Sequence, residues 1–351
     1  MNILLINNGY PSSTNPQYST YIKSIEECLR DAGMEVDLLV LDTNFKGKVS
    51  KYFLYLKFFV KLLLFRYKEY DFIYINNYPY CFFPTMFRIK KFKNIIIHWH
   101  GTDIISSGLL KRTLNNFSYR FLPHNHIAIV PSDYFKQEVI ERLGINRFNK
   151  IFVSPSGGVD ILKFFNSKKE VTDKIILGFA SSLTSAKGAD IISELGQNLS
   201  FLSDRCNVEI ALKVIAYGAE KEYYLDRFKS SSEVTIEKPF PKEEMKNFYN
   251  SIDIFLFPTK RKAESLGLVG LEAMSCGKPV VGTNDFALKE YIIPGETGEL
   301  FELGNYQDFE KAIIRTIKNL GNYKPRELVI EKYSKGAVGQ QYKEIFNAIS
   351  K

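Results

Sequence analysis

Residues 252–284 read IDIFLFPTKRKAESLGLVGLEAMSCGKPVVGTN, and the order of apolar and polar runs in them sets the fold class. IDIFLFPT is a short apolar run closed by Pro258, as expected of a buried strand ending at Phe257. A polar turn follows, then GLVGLEAMSCG as a helix, then KPVVGTN as a second strand. Strand, helix and strand of this size make a parallel crossover. Moving outward, KIILGFA, VEIALKVIA and VTIEKPF read as further strands, with ADIISELGQNLSFL and KEEMKNFYNS as helices. The first half shows the same alternation. MNILLIN, EVDLLVL, DFIYIN, NIIIHWH and HIAIVPS are its strands, and STYIKSIEECLRDAG and DYFKQEVIERLG are among its helices. Two doubly wound α/β domains are expected, with a hinge near SPSGGVDILKFFN, where Pro155, Gly157 and Gly158 break the pattern. KYSKGAVGQQYKEIFNAIS reads as a terminal helix.

A chain of 351 residues suits two such domains, because single cores stop growing near about 250 to 300 residues. Apolar residues make up 45% and charged ones 25%, which excludes a disordered chain. Four cysteines, at 28, 81, 206 and 276, have neither paired nor metal-ligand spacing and read as reduced thiols of a cytosolic protein. MNILLINN enters an apolar run with no basic leader, so no secretory signal is expected.

The net charge of +8 is unevenly spread. Residues 46–93 carry 11 Lys and Arg against Glu69 and Asp71, which predicts an anionic partner there. Within that region lies KYFLYLKFFVKLLLFRYK, residues 51–68. Lys57, Lys61 and Arg66 argue against a spanning helix, while the lysine stripe beside Phe, Leu, Tyr and Val fits a helix lying in a membrane interface. The basic run FRIKKFK could touch the same headgroups. An ordinary core helix with its lysines in water is the plainer reading. Nucleic acid is not expected, since the aromatics look like packing or membrane contacts rather than a stacking platform.

Candidate chemistry centres on Pro258–Asn284. Glu264 in a loop and Glu272 on a helix opening near Leu266 can reach one ligand, and the amides of Gly267 and Leu268 at the helix start favour an anion. Carboxylates accept hydrogen bonds from hydroxyls, so this pair suits a sugar and a ribose; a capping carboxylate plus a surface glutamate is the other reading that the spacing allows. His100 ends an apolar strand at the carboxyl edge, where ligands sit in open parallel sheets. Asp103 is expected to cap the next helix. His98, His100, His124 and His126 alternate as metal ligands can, but no cysteine or carboxylate set completes a tetrahedral site, and no metal is expected. The loop NNGYPSSTNPQYSTY offers Gly9, Tyr10 and Asn15 as acceptor-side candidates and lacks a dinucleotide fingerprint.

These segments resemble a known family. ESLGLVGLE is similar to the paired-glutamate motif of retaining nucleotide-sugar glycosyltransferases of family four, the group 1 enzymes with the GT-B fold. EAMSCGKPVVGTN, HGTD at 100–103, PSDYFKQEVIERLG, GGVDILKF at 157–164, SLTSAKG at 182–188 and PGETGELF follow in that family's order. The resemblance implies two Rossmann-like domains facing a central cleft: 1–165 binding the acceptor, 166–334 binding the donor, and 335–351 crossing back onto the first. It implies a donor set of Ser182, Lys187, Glu264, Ser265, Leu266, Gly267, Leu268 and Glu272, with His100, Lys187 and Glu264 catalytic. Glu272 would hold the ribose, Glu264 the sugar and Lys187 the diphosphate. Where the family commonly has an arginine, this chain has Ser182, so Lys260, Arg261 or Lys262, or the helix-start amides, must carry more of the phosphate charge.

The expected reaction moves a hexose from a nucleoside diphosphate sugar, by default a UDP-sugar, to a hydroxyl with retained configuration. No cofactor is expected, because amides and a lysine stabilise the leaving group. With the basic region on the acceptor domain, the expected acceptor is a lipid-linked saccharide in capsule, O-antigen or exopolysaccharide assembly, at the inner face of the cytoplasmic membrane. A small soluble acceptor such as malate, a sugar-nucleotide epimerase and a noncatalytic sugar-nucleotide-binding partner of a transferase are the other readings the residues allow.

Overall fold

The structure is a computed structural model that describes residues 1–16, 18–45, 47–88, 92, 94–106, 108–167, 173–229 and 231–350. The chain divides into two units, Met1–Gly158 with Lys335–Lys351, and Val159–Ser334. The division comes at Gly158 rather than at 165, because Val159 and Phe164 are buried in the apolar core of the second unit.

The first unit holds strands β1 (Asn2–Asn7), β2 (Glu35–Val40), β3 (Phe72–Asn76), β4 (Ile95–His98), β5 (His126–Val130) and β6 (Phe148–Val153). They form one parallel sheet in the order β2-β1-β3-β4-β5-β6. Alternation along β1 sends Leu4 and Ile6 to one face and Ile3 and Leu5 to the other. The first face packs under Phe58, Leu62, Phe82, Tyr119 and Phe135 from four helices. The second is covered by the helices Thr20–Asp31 and Lys335–Ile349, through Ile22, Ile25, Val338, Tyr342 and Phe346.

The second unit holds β7 (Lys174–Phe179), β8 (Glu209–Ile215), β9 (Val234–Glu237), β10 (Ile254–Phe257), β11 (Val280–Thr283) and β12 (Gly298–Phe301), all parallel, in the order β12-β11-β10-β7-β8-β9. Helices Ala189–Gln197, Leu199–Cys206 and Tyr306–Lys318 cover one face, and Met245–Asn250 and Leu268–Ser275 the other. The segment read as one helix, ADIISELGQNLSFL, breaks at Asn198, which joins two shorter helices. Two strands escaped the sequence reading, β6 and β12, each at one edge of its sheet. The apolar run of β6 is broken by exposed Asn149 and Lys150, and β12 is four residues long with only Leu300 and Phe301 apolar side chains.

One side chain ties the start of the second unit to the helix that carries Glu272. The Arg326 guanidinium donates to the carbonyls of Phe164 at 2.9 Å and Ile161 at 3.2 Å, and to both the carbonyl and the hydroxyl of Ser275, where that helix ends. Replacing it leaves several carbonyls without donors. Arg326→Met is expected to cost about 2 to 4 kcal/mol and to lower the melting temperature by on the order of 10 °C. Differential scanning calorimetry checks this.

Candidate active site

In an open parallel sheet, ligands settle outside the carboxyl edge where the strand order reverses, because the helices leaving the two strands diverge to opposite faces. The order of the second sheet reverses between β7 and β10. The loop after β7 carries Ser182 and Lys187, and the loop after β10 carries Glu264 to Gly267. Gly188 lets the two loops touch: its φ is +81°, and a Cβ there would lie 2.1 Å from the Pro258 carbonyl. The Lys260 amide donates to the Ala186 carbonyl at 3.0 Å across the same seam. Lys187 and Glu264 thereby meet in an ion pair. Thr259 donates to the same carboxylate at 3.4 Å, and the Lys187 ammonium lies 5.8 Å from the Phe257 ring centre.

The helix after this loop opens at Leu268, not near Leu266, because Gly267 sits at φ +82° and stands outside the helix as its N-terminal cap. Ser265 and Leu266 remain in the turn, and the Leu266 side chain is buried in the apolar core. The first amides of Leu268–Ser275 have no acceptor within the helix. Further along, Glu272 is 7% exposed and accepts from the Tyr249 hydroxyl at 3.1 Å, with Lys242 at 3.8 Å. Burial raises its carboxyl above the usual range, against the opposing pull of Lys242 and Tyr249.

Ser182 is half-buried beside Gly218, and Tyr217 of that turn donates to the Ala180 carbonyl at 3.2 Å. Burial raises the Tyr217 phenol, and both Glu264 and Glu272 add to the rise, so Tyr217 feels the whole acidic pair. Of the cations next to Glu264, Lys260 pairs with Asp190. Arg261, half-buried on the same loop, has no ion-pair partner among the described residues.

The order of the first sheet reverses between β1 and β3, and both strands end in Ile-Asn-Asn. Asn7 donates to the Gly9 carbonyl at 2.6 Å, and Asn77 donates to Asn7 at 2.9 Å and to the Tyr21 hydroxyl at 2.6 Å. The Tyr21 ring lies 4.7 Å from that of His100. His100 engages both ring nitrogens: Nε2 with Asn76 Oδ1 at 2.7 Å, and Nδ1 with the Ser156 hydroxyl at 3.1 Å. Its ring also stacks on His98 at 4.0 Å. Burial drives its basicity down to about 3, so it stays neutral at physiological pH.

Asp103 does not cap the following helix, which starts at Leu109 after Gly108. Its carboxylate instead accepts the main-chain amides of His100 at 3.0 Å and Gly101 at 2.8 Å, fastening the turn after β4; burial raises that carboxyl to about 6. Tyr10 and Asn15 are tied elsewhere, to Glu26 at 2.6 Å and to the Thr43 carbonyl at 2.5 Å. Asn76, Asn77, Tyr21, Ser156, Tyr217 and Tyr249 were not anticipated. The Ile-Asn-Asn repeat was a usable signal for the asparagines, since polar pairs at strand ends face the ligand edge.

Residues 160–335 match the family described as glycosyl transferases group 1, and residues 19–160 match glycosyltransferase family 4. The chain belongs to the group 1 glycosyltransferases. Among its relatives, the capsular polysaccharide biosynthesis glycosyltransferase CapM of Staphylococcus aureus is 26% identical over 279 residues, covering 70% of this chain and 69% of CapM. Sucrose-phosphate synthase from Thermosynechococcus elongatus superposes with a TM-score of 0.76 at 17% identity, over 99% of this chain and 98% of that one. Anabaena HepE in complex with UDP-glucose gives 0.66 at 18% identity, over 99% and 100%. The fold of this group 1 glycosyltransferase is therefore GT-B, with two doubly wound six-stranded sheets.

The raised carboxyl of Glu272 has a stability consequence. A carboxylate that is harder to ionise in the folded chain weakens folding above its folded-state pKa, and the loss disappears in acid, where both states are protonated. Glu272→Gln is expected to melt at a higher temperature than the parent at pH 7, with the difference closing below the ordinary carboxylate range near about pH 4. Melting curves across pH check this.

Proposed function

We propose that this chain transfers a hexose from a nucleoside diphosphate sugar, with UDP as the nucleotide, to a hydroxyl of a lipid-linked saccharide, retaining the anomeric configuration. The observation that carries the reading is the Lys187–Glu264 pair at the reversal of the second sheet, beside the opening amides of Leu268–Ser275. The bond from the sugar to the diphosphate oxygen breaks while a bond to the acceptor oxygen forms. The acceptor proton passes to a phosphate oxygen, so no protein base is needed. Lys187 and the amides neutralise the departing diphosphate, a class of contact worth roughly 3 to 4 kcal/mol per donor. Arg261, without an ion-pair partner among the described residues, is the cation on this loop that takes the place Ser182 cannot fill. Glu264 orients the sugar hydroxyls and Glu272 the ribose; Ser265, Leu266 and Gly267 serve through their main chain. The HepE complex with UDP-glucose supports the donor class, and the function named for CapM supports a polysaccharide product.

The acceptor rests on the helix Lys48–Leu64. It ends at Leu64 rather than running to residue 68, and only Phe58 and Leu62 of it are buried. Tyr52 is 76% exposed, Phe53 66% and Leu64 70%, with Val49, Leu56 and Val60 also outward among Lys48, Lys51, Lys57 and Lys61. Phe83 and Phe87 add exposed aromatic surface nearby. No helix among the described residues is long and apolar enough to cross a membrane. Apolar side chains left in water between lysines suit an anionic bilayer surface. Of the basic run 87–93, residues 89–91 and 93 lie outside the described residues, as does Lys46.

Thermal shifts with a panel of nucleotide sugars, followed by NMR of the product, test donor and configuration. Glu264→Gln is expected to lower kcat by about 100-fold or more; a product of inverted configuration, or no response to any donor, overturns the reading. Separately, the chain is expected to float with anionic vesicles at low salt, and Phe53→Glu with Leu56→Glu to abolish flotation. Failure to bind those vesicles would remove the lipid acceptor in favour of a soluble one.

A further inference from the structure

Beside the ring of His100 the structure holds two uncharged groups where an acid-base residue would have a charged one. A neutral imidazole offers one N–H and one lone pair. Asn76 Oδ1 can only accept, so the 2.7 Å contact places the proton on Nε2. Nδ1 is then the lone pair, and the Ser156 hydroxyl at 3.1 Å donates to it. Asn76 is fully buried at the carboxyl end of β3, paired in register with His98, and its Nδ2 has no partner among the described residues.

The groups around the ring favour the same state. Beneath it, the buried His98 ring lies 4.0 Å away and is held by the Tyr74 hydroxyl at 2.8 Å, so a charge on either imidazole would face the other. Tyr21, at 4.7 Å, has its hydroxyl engaged by Asn77. The nearby carboxylate, Asp103, binds main-chain amides of His100 and Gly101, not the ring.

We propose that Asn76 and Ser156 are positioning residues that hold His100 as a single neutral tautomer, with its proton on Nε2, so that it serves the transfer reaction as an oriented dipole and not as an acid or base. This rests on the glycosyl transfer proposed above. A ring fixed in this state adds no positive charge against the charge growing on the sugar, and an amide partner keeps it so at every pH where a carboxylate would not.

The direct test is nitrogen NMR of the full chain labelled in histidine, with the His100 signal assigned by its loss in His100→Gln. The expected result is a neutral Nε2–H tautomer that does not titrate between pH 5 and 8. A proton on Nδ1, or titration near the ordinary histidine value of about 6.5, overturns the proposal. In the kinetic test, Asn76→Asp places a carboxylate at the same point and is expected to add an acid limb to the kcat profile between pH 5 and 8, absent from the parent. A profile parallel to the parent's overturns it. Ser156→Ala serves should the aspartate variant not fold: kcat is expected to drop about tenfold with the donor KM unchanged, and a change in KM alone overturns the positioning role. If no nucleotide sugar is turned over, the proposed reaction falls, while the tautomer is still decided by the NMR.

Discussion

Parallel pairing is the constraint on which the rest depends. When every strand in a sheet runs the same way, all carboxyl ends gather on one edge, and every loop leaving that edge is free of the crossover helices that must return to the other. Each unit reverses its strand order once, between β1 and β3 and between β7 and β10. At those reversals two loops stand side by side with no helix between them, and the chemistry-bearing residues are concentrated there. Lys187 and Glu264 are 77 positions apart in sequence and form an ion pair because β7 and β10 are neighbours.

The second site is built at a cost in stability. Glu264 and Glu272 are both largely withdrawn from water, and such carboxylates are tolerated only with partners. Lys187 and Thr259 serve Glu264; Tyr249 and Lys242 serve Glu272. Each acid is thus held in place by protein groups, which would lower the ordering cost of a ligand that bound there. Gly188 shows how tightly the loops are set, since any side chain there would strike the Pro258 carbonyl.

The first site is of another kind. It contains neutral hydrogen-bonding groups, with Asn7, Asn76, Asn77, Tyr21 and Ser156 arranged around a stacked pair of neutral histidines. The nearby carboxylate of Asp103 is spent on the main chain of the turn. The two copies of one architecture thus carry different chemistry, set by the residues at the strand ends and in the loops that leave them.

Alternating apolar runs and helical stretches were enough to determine from sequence the doubly wound class, ten of the twelve strands among the described residues and the loop position of Glu264, because parallel strands buried on both faces are apolar throughout. Beyond that reach were β6, whose apolar run is broken by exposed Asn149 and Lys150, β12, a four-residue strand that begins Gly298-Glu299, and the helix start at Leu268, which depends on the left-handed backbone of Gly267. Only the tertiary structure decided that Lys187 meets Glu264, that Asn76 and Ser156 enclose His100, and that Tyr52, Phe53, Leu56 and Leu64 of the helix Lys48–Leu64 stay in water while Phe58 and Leu62 pack on the sheet. Those outcomes depend on which strands become neighbours and on which helix face finds a sheet to cover, and neither is a property of any local stretch of sequence.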